Sequence, residues 1–261
     1  MSFETIVLSI DGVRTVMKAV GHGPAVVALH GAATLEGYDW AEGLADRFRV
    51  YLPFHPGFGE SDSAPHITGM QDMIVHNLRL LEALGLDRPH LVGHSMGGWM
   101  AAEMAVVAGE RFGRLVLNAP AGLNHPDHQA ADLAAIAPQD LPGYLAHNVE
   151  IAARYFPGGA KSPPVEEFVA ARGKEGDALG GILKVHGMGH PSLGRWLSRI
   201  PNETLIVWGE KDRMMPASQA PLWAERIPNA RVKIIPGVGH FAMQEDPKTV
   251  AAIGDFLQHG A

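Results

Sequence analysis

Leu91-Val92-Gly93-His94-Ser95-Met96-Gly97-Gly98-Trp99 is the segment around which the other patterns of this 261-residue chain fall into place. An apolar run ends on a glycine, and a serine follows one residue later. Two more glycines lead into Met100-Ala101-Ala102-Glu103-Met104-Ala105, a run that favours helix. The spacing G-x-S-x-G predicts a strand turning sharply into a helix, with the serine hydroxyl lifted above the end of a sheet. Small residues are needed on either side because strand and helix pass close together there. The serine also stands at a helix N-terminus, whose free N–H groups can hold developing negative charge. A glycine-rich chain can produce such a pentad by chance, so its meaning depends on the surrounding sequence.

Those surroundings alternate strand and helix. Upstream, residues 3–10 and 13–20 alternate apolar and polar about Asp11-Gly12, the signature of a hairpin. Ala25-Val26-Val27-Ala28-Leu29 is continuously apolar, as in a strand buried on both faces, and ends at His30-Gly31-Ala32-Ala33. A helix is predicted near 40–48, a strand at 49–53, a turn-rich loop at 55–62 and a helix over 70–84 closed by Gly85. Beyond the serine come a helix at 96–109, strands at 114–118, 204–209 and 232–235, and helices at 217–227 and 246–258. The expected fold is α/β, a mostly parallel twisted sheet flanked by helices, formed by residues 1–120 and 201–261. Residues 121–200 break the rhythm with seven prolines and no buried-strand pattern, and read as an inserted lid of short helices.

Composition narrows the functions. Hydrophobic residues make up 46% and charged residues 19%, an ordinary globular balance. A formal charge of −7 with no basic block speaks against nucleic acid or an anionic membrane as partner. The chain has no cysteine, which removes disulfides, thiolate chemistry and Cys-ligated metals. The first 20 residues lack a signal-peptide pattern and no apolar run reaches about 18 residues, so a cytoplasmic protein is expected. Monomer and homodimer are equally compatible with the sequence.

A serine hydroxyl becomes a useful nucleophile when a base takes its proton and a carboxylate orients that base. With this kind of turn the acid and then the histidine follow the serine, each just past a strand. Asp212 stands so in Gly209-Glu210-Lys211-Asp212-Arg213, with Glu210 its nearest rival. His240 stands so in Gly237-Val238-Gly239-His240. The end of the preceding strand, another place for the acid, carries Asn118, which cannot serve.

His30-Gly31, Pro56-Gly57-Phe58-Gly59-x-Ser61, Gly93-x-Ser95-x-Gly97-Gly98, Gly209-x-x-Asp212 and Gly239-His240 together resemble the α/β-hydrolase superfamily, specifically its lid-bearing esterase and C–C hydrolase-like members. The resemblance covers most of the chain except 121–200. It implies Ser95 as nucleophile, His240 as general acid/base, Asp212 as orienting carboxylate, and the N–H groups of Ala32 and Met96 as the oxyanion hole. His30 would brace the oxyanion loop, and His30, Trp99, His190 and Trp196 are candidates to contact substrate. The expected activity is hydrolysis of a small-molecule carboxylic ester through an acyl-enzyme, without cofactor, with activity rising as His240 loses its proton. Alternatives are cleavage of a C–C bond in a β-diketone-like substrate, or of a thioester, lactone or amide. Elbows of C–C hydrolases usually carry asparagine where His94 stands. Haloalkane and epoxide hydrolases are disfavoured, since they carry aspartate at the serine position. The remote alternative is a non-catalytic ligand receptor on the same scaffold. His125-x-x-His128 and His186-x-x-x-His190 have spacings that can bind metal, but a Pro/Asp loop and two glycines favour surface or lid histidines, so no metal site is assigned.

Overall fold

Asp11 and Gly12 both take positive φ, 51° and 82°. Those values make the tight turn that folds β1 (Glu4–Ile10) antiparallel onto β2 (Val13–Gly21). In the computed structural model, which describes residues 2–184 and 187–260, this hairpin begins an eight-stranded sheet. The remaining strands are β3 (Ala25–Leu29), β4 (Arg49–Pro53), β5 (His90–His94), β6 (Leu115–Asn118), β7 (Thr204–Gly209) and β8 (Ala230–Ile235). Their order is β1-β2-β4-β3-β5-β6-β7-β8. β2 runs antiparallel to β4, and every pairing from β4 to β8 is parallel.

Parallel strands need crossovers, and helices that make them cover both faces. β6 and β7 are accordingly buried at every position. On one face lie α1 (Met70–Ala83) and α2 (Met96–Ala108), packing Met73, Trp99, Met100 and Met104 against Leu91 and Leu117. In α2 every residue except Val106 and Val107 is buried, so it is an interior helix, apolar nearly all round. The other face is closed near the C-terminus, where Val250, Ile253 and Leu257 pack with Val92, Val207 and Leu44.

Between β6 and β7 the chain forms α3 (Leu141–Leu145), α4 (Val149–Ala153), α5 (Val165–Leu183) and α6 (Leu193–Trp196). After β7 come α7 (Ala220–Ala224), α8 (Ala242–Glu245) and α9 (Pro247–His259). The insert departs from the expectation of short helices, for α5 has 19 residues. Gly173, Gly176, Gly180 and Gly181 hide it in the sequence, each costing about 1 kcal/mol of helix propensity relative to alanine. A Cβ at any of the four would meet nothing within 4 Å, so no close packing requires glycine there. The helix expected near 40–48 is instead a 3-10 turn, Asp39–Leu44. Among the described residues no helix is long and apolar enough to cross a membrane.

Candidate active site

Ser95 is the residue between β5 and α2, and its backbone is strained. Its φ of 53° and ψ of −117° lie where a side chain is rarely tolerated, at a cost of order 1–3 kcal/mol. The neighbours hold it there: the Ser95 N–H donates to Asn118 O (3.0 Å), and Ser95 O accepts from Ala121 N (2.9 Å). The flanking glycines are fixed by proximity. A Cβ on Gly93 would lie 2.4 Å from Gly97 O, one on Gly97 would lie 2.2 Å from Leu29 O, and one on Gly98 would press on Pro120 at 2.8 Å.

Asp212 and His240 come from the loops after β7 and β8, which nearly touch. A Cβ on Gly209 would lie 2.1 Å from Gly239 O. Asp212 Oδ1 accepts from the N–H groups of Met214 (2.9 Å) and Met215 (2.8 Å). Its Oδ2 lies 2.8 Å from His240 Nδ1, and both residues are buried. Because an ionised carboxylate only accepts, Nδ1 carries the proton and Nε2 is left as the basic nitrogen. Glu210, the rival acid, points elsewhere and accepts from Gly237 N (3.1 Å). Asn118 Nδ2 lies 2.8 Å from His94 Nδ1. Ser95 Oγ and His240 are not hydrogen-bonded to each other, although both line one cavity. Contacts of this kind commonly tighten only around substrate.

Neither the Ala32 nor the Met96 N–H has an acceptor among the described residues. The Ala32 loop rests on His30, whose Nε2 accepts from His55 N (3.1 Å) and whose Nδ1 lies 2.8 Å from Gly31 O. The His30 ring sits 4.0 Å from that of His55. Burial lowers His30 to a pKa of about 4 and His55 well below the ordinary histidine range. His94, ring to ring with His240 at 4.5 Å, is likewise pushed well below it, by burial first and then by His240. These three stay neutral at pH 7.

The cavity over Ser95 holds about 450 Å³. The insert supplies much of its wall, through Leu133, Ile136, Leu141, Leu179 and Met188, with Met214, Met215 and Phe241 from the core. Away from Ser95, His94 and His240, the surface is apolar except where Arg172 and Glu175 of α5 reach it. Burial lowers the Arg172 pKa while Glu175 raises it back, and the guanidinium stays charged. Its Nη1 is paired with Glu175, and its buried Nε has no hydrogen-bond acceptor among the described residues.

The four residues expected to contact substrate are placed elsewhere. Trp99 is buried in the core, its indole N–H bonded to Glu103. His190 and Trp196 stack on each other at 4.3 Å, and His30 lies behind the loop at 31–33; none of the four lines the cavity. Ring size and position near the elbow suggest them, but the direction of a side chain in an inserted segment leaves no trace in sequence. Arg172 and Glu175, hidden among the charges of Arg172-Gly173-Lys174-Glu175, are the polar groups that reach the cavity instead. His125 and His128 lie with rings 4.8 Å apart, His128 bonded to Ser218 Oγ, and His186 lies outside the described residues.

Comparison with known proteins agrees with this architecture. The chain is 28% identical over 275 residues, 95% of its length and 92% of the relative's, to a 2-hydroxy-6-oxo-6-phenylhexa-2,4-dienoate hydrolase of Burkholderia cepacia. The structure superposes on a bacterial membrane phospholipase A with a TM-score of 0.82 at 23% identity, covering 98% of this chain and 86% of that one. It superposes on a meta-cleavage product hydrolase of Pseudomonas fluorescens with a TM-score of 0.79 at 20% identity, covering 98% of each. The model of the alpha/beta hydrolase family matches residues 26–253, and the chain belongs to that family.

Proposed function

We propose that the protein is a serine hydrolase that cleaves a C–C bond next to a ketone in a small carboxylic acid with an apolar tail. Ser95 Oγ adds to the carbonyl carbon as His240 Nε2 takes its proton, and Asp212 holds the imidazole in the tautomer that can do so. The Ala32 and Met96 N–H groups would receive the oxyanion, each contributing roughly 3–4 kcal/mol to the transition state. Collapse breaks the C–C bond. In the 2,6-dioxo tautomer of such a substrate, formed when the 2-hydroxyl proton moves to C5, the electron pair passes to the leaving fragment as an enolate, which takes the proton from His240. Water, deprotonated by the same histidine, then cleaves the acyl-enzyme.

The observation that carries this reading is Arg172, a half-buried guanidinium whose Nε has no acceptor among the described residues, set into the apolar wall of the cavity over Ser95. The relative's substrate, 2-hydroxy-6-oxo-6-phenylhexa-2,4-dienoate, combines a phenyl ketone at one end with a carboxylate at the other. An apolar cavity with one guanidinium suits both ends. A simple ester is the second reading, favoured by His94 where C–C hydrolases usually carry asparagine.

The test is turnover of that dienoate and of p-nitrophenyl butyrate by wild type, Ser95→Ala and Arg172→Ala. Both reactions should vanish in Ser95→Ala. Arg172→Ala should lower kcat/KM on the dienoate by about 10- to 150-fold more than on the neutral ester, the difference being equivalent to one charged hydrogen bond of about 1.5–3 kcal/mol. Turnover of the ester alone, unaffected at Arg172, would transfer the assignment to esters. Full activity in Ser95→Ala would overturn both readings.

A further inference from the structure

Glu175 has a job that substrate contact does not explain. Its side chain is almost fully buried, and its two oxygens meet four partners. Oε1 accepts from Thr34 Oγ1 (2.6 Å) and from Gly59 N (3.1 Å), while Oε2 accepts from Thr34 N (3.1 Å) and faces the Arg172 guanidinium at 2.6 Å. Thr34 is two residues beyond Ala32. One carboxylate on the inserted helix α5 therefore grips the loop that presents the proposed oxyanion donor.

The rest of that helix turn is docked on the core as well. Lys174 Nζ donates to Gly59 O (3.0 Å) and Ser61 O (2.5 Å). Gly57, with φ of 84°, lies so close beneath α5 that its Cβ would be 2.5 Å from that of Ala178. The loop at 55–62 is thus the seat of the inserted helix.

We infer that Glu175 is a positioning residue for the oxyanion hole: by gripping Thr34 from α5 it ties the seating of the insert to the placement of the Ala32 N–H. The inference rests on the proposed roles of Ser95 and Ala32. The chemistry of the grip is specific. All four partners are donors or cations, so only an acceptor at both oxygens satisfies them. Glutamine of the same length would turn an NH₂ group toward at least one N–H or O–H, and aspartate falls short by a methylene.

The experiment compares wild type, Glu175→Gln and Lys174→Ala with three readouts on a neutral p-nitrophenyl ester, which does not engage Arg172. Removing an oxyanion donor costs about 10²–10³-fold, and a displaced one should cost less, so Glu175→Gln should lower kcat about 10- to 100-fold with KM unchanged. Affinity for a trifluoromethyl ketone, which forms a tetrahedral adduct, should fall by the same factor. Binding of the unreacted ester to a Ser95→Ala background should not change. Lys174→Ala removes two neighbouring hydrogen bonds but leaves the Glu175–Thr34 grip in place, so kcat should stay within about twofold. An equal loss in Lys174→Ala, or a Glu175→Gln loss that falls on KM and kcat alike, would overturn the inference. Labelling of Ser95 by a fluorophosphonate separates the two failures. A wild type that is labelled while Glu175→Gln matches it in rate sinks only the role of Glu175. A wild type that resists labelling sinks the serine hydrolase reading itself.

Discussion

Gly97→Ala adds one methyl group at the place where α2 passes the end of β3. The nearest atoms it would meet are backbone: Leu29 O at 2.2 Å and His30 O at 2.5 Å. Ordinary contact begins near 3.4 Å, so helix and strand must part by about 1.2 Å at a point where neither has a flexible side chain to move. Overpacking of this kind costs about 1–3 kcal/mol, and rigid backbone on both sides argues for the upper end. Better helix propensity returns about 0.5–1 kcal/mol, leaving a net loss near 2 kcal/mol. Leu29 and His30 lead directly into Ala32, and Gly97 follows Met96. The same displacement therefore separates the two proposed oxyanion donors, and an error of about 1 Å in such a site costs on the order of 10²-fold in rate. Gly173→Ala is the control. In α5 the new methyl meets nothing, and stability should rise by about 0.5–1 kcal/mol with activity intact. Urea unfolding and steady-state kinetics on both variants decide the matter. A Gly97→Ala protein within about 0.5 kcal/mol of wild type and fully active would refute the reasoning that close approach fixes these glycines.

Ser95→Gly relieves the strained φ of 53° and should raise the urea midpoint, by about 1 kcal/mol of stability, while abolishing turnover; an unchanged midpoint would mean the elbow stores no strain. His30, His55 and His94 are held neutral in the fold, so below pH ~6.5 the unfolded chain binds protons that the native state refuses, and stability falls as pH falls. Each contributes about 1.4 kcal/mol per pH unit, for His30 until it titrates near pH 4, and urea midpoints that stay flat from pH 7 to pH 5 would contradict it. Glu103 is shifted the other way: burial raises its pKa against the opposing indole bond from Trp99, so its contribution is lost as pH rises above the unfolded carboxyl pKa of about 4.3. Glu103→Gln should accordingly gain stability relative to wild type as pH rises above about 4.3, measured as a growing difference in thermal midpoint.

Sequence carries the strands and the elbow because their signals are local. Buried runs such as Ala25–Leu29 and Leu115–Asn118 admit few other readings, and Asp11-Gly12 names its own turn. The order of Ser95, Asp212 and His240 can be proposed because each follows a strand end. The 2.8 Å between Asp212 and His240, by contrast, depends on Gly209 and Gly239 meeting, a tertiary fact. Glu175 is illegible for the same reason. A glutamate three residues after an arginine on a helix is ordinarily a solvated surface pair, and nothing local says that its partners are Thr34 and Gly59. The glycines of α5 mislead in the opposite sense, weakening a helix that its docking sustains.

The near-complete burial of α2 also bears on how the molecule fails. Protein amides deep in such a helix exchange with solvent mainly when the whole domain opens, whereas exposed segments open far below that limit. Ser95 thus belongs to the slowest-exchanging part of the chain, while α5, about half exposed and glycine-interrupted, belongs to a fast one. On warming, the wall over the cavity should let go while the elbow is still folded, so loss of turnover should precede the cooperative unfolding transition by several degrees. Heat inactivation would then report on the hold of α5, and stabilising the core alone would leave it unchanged.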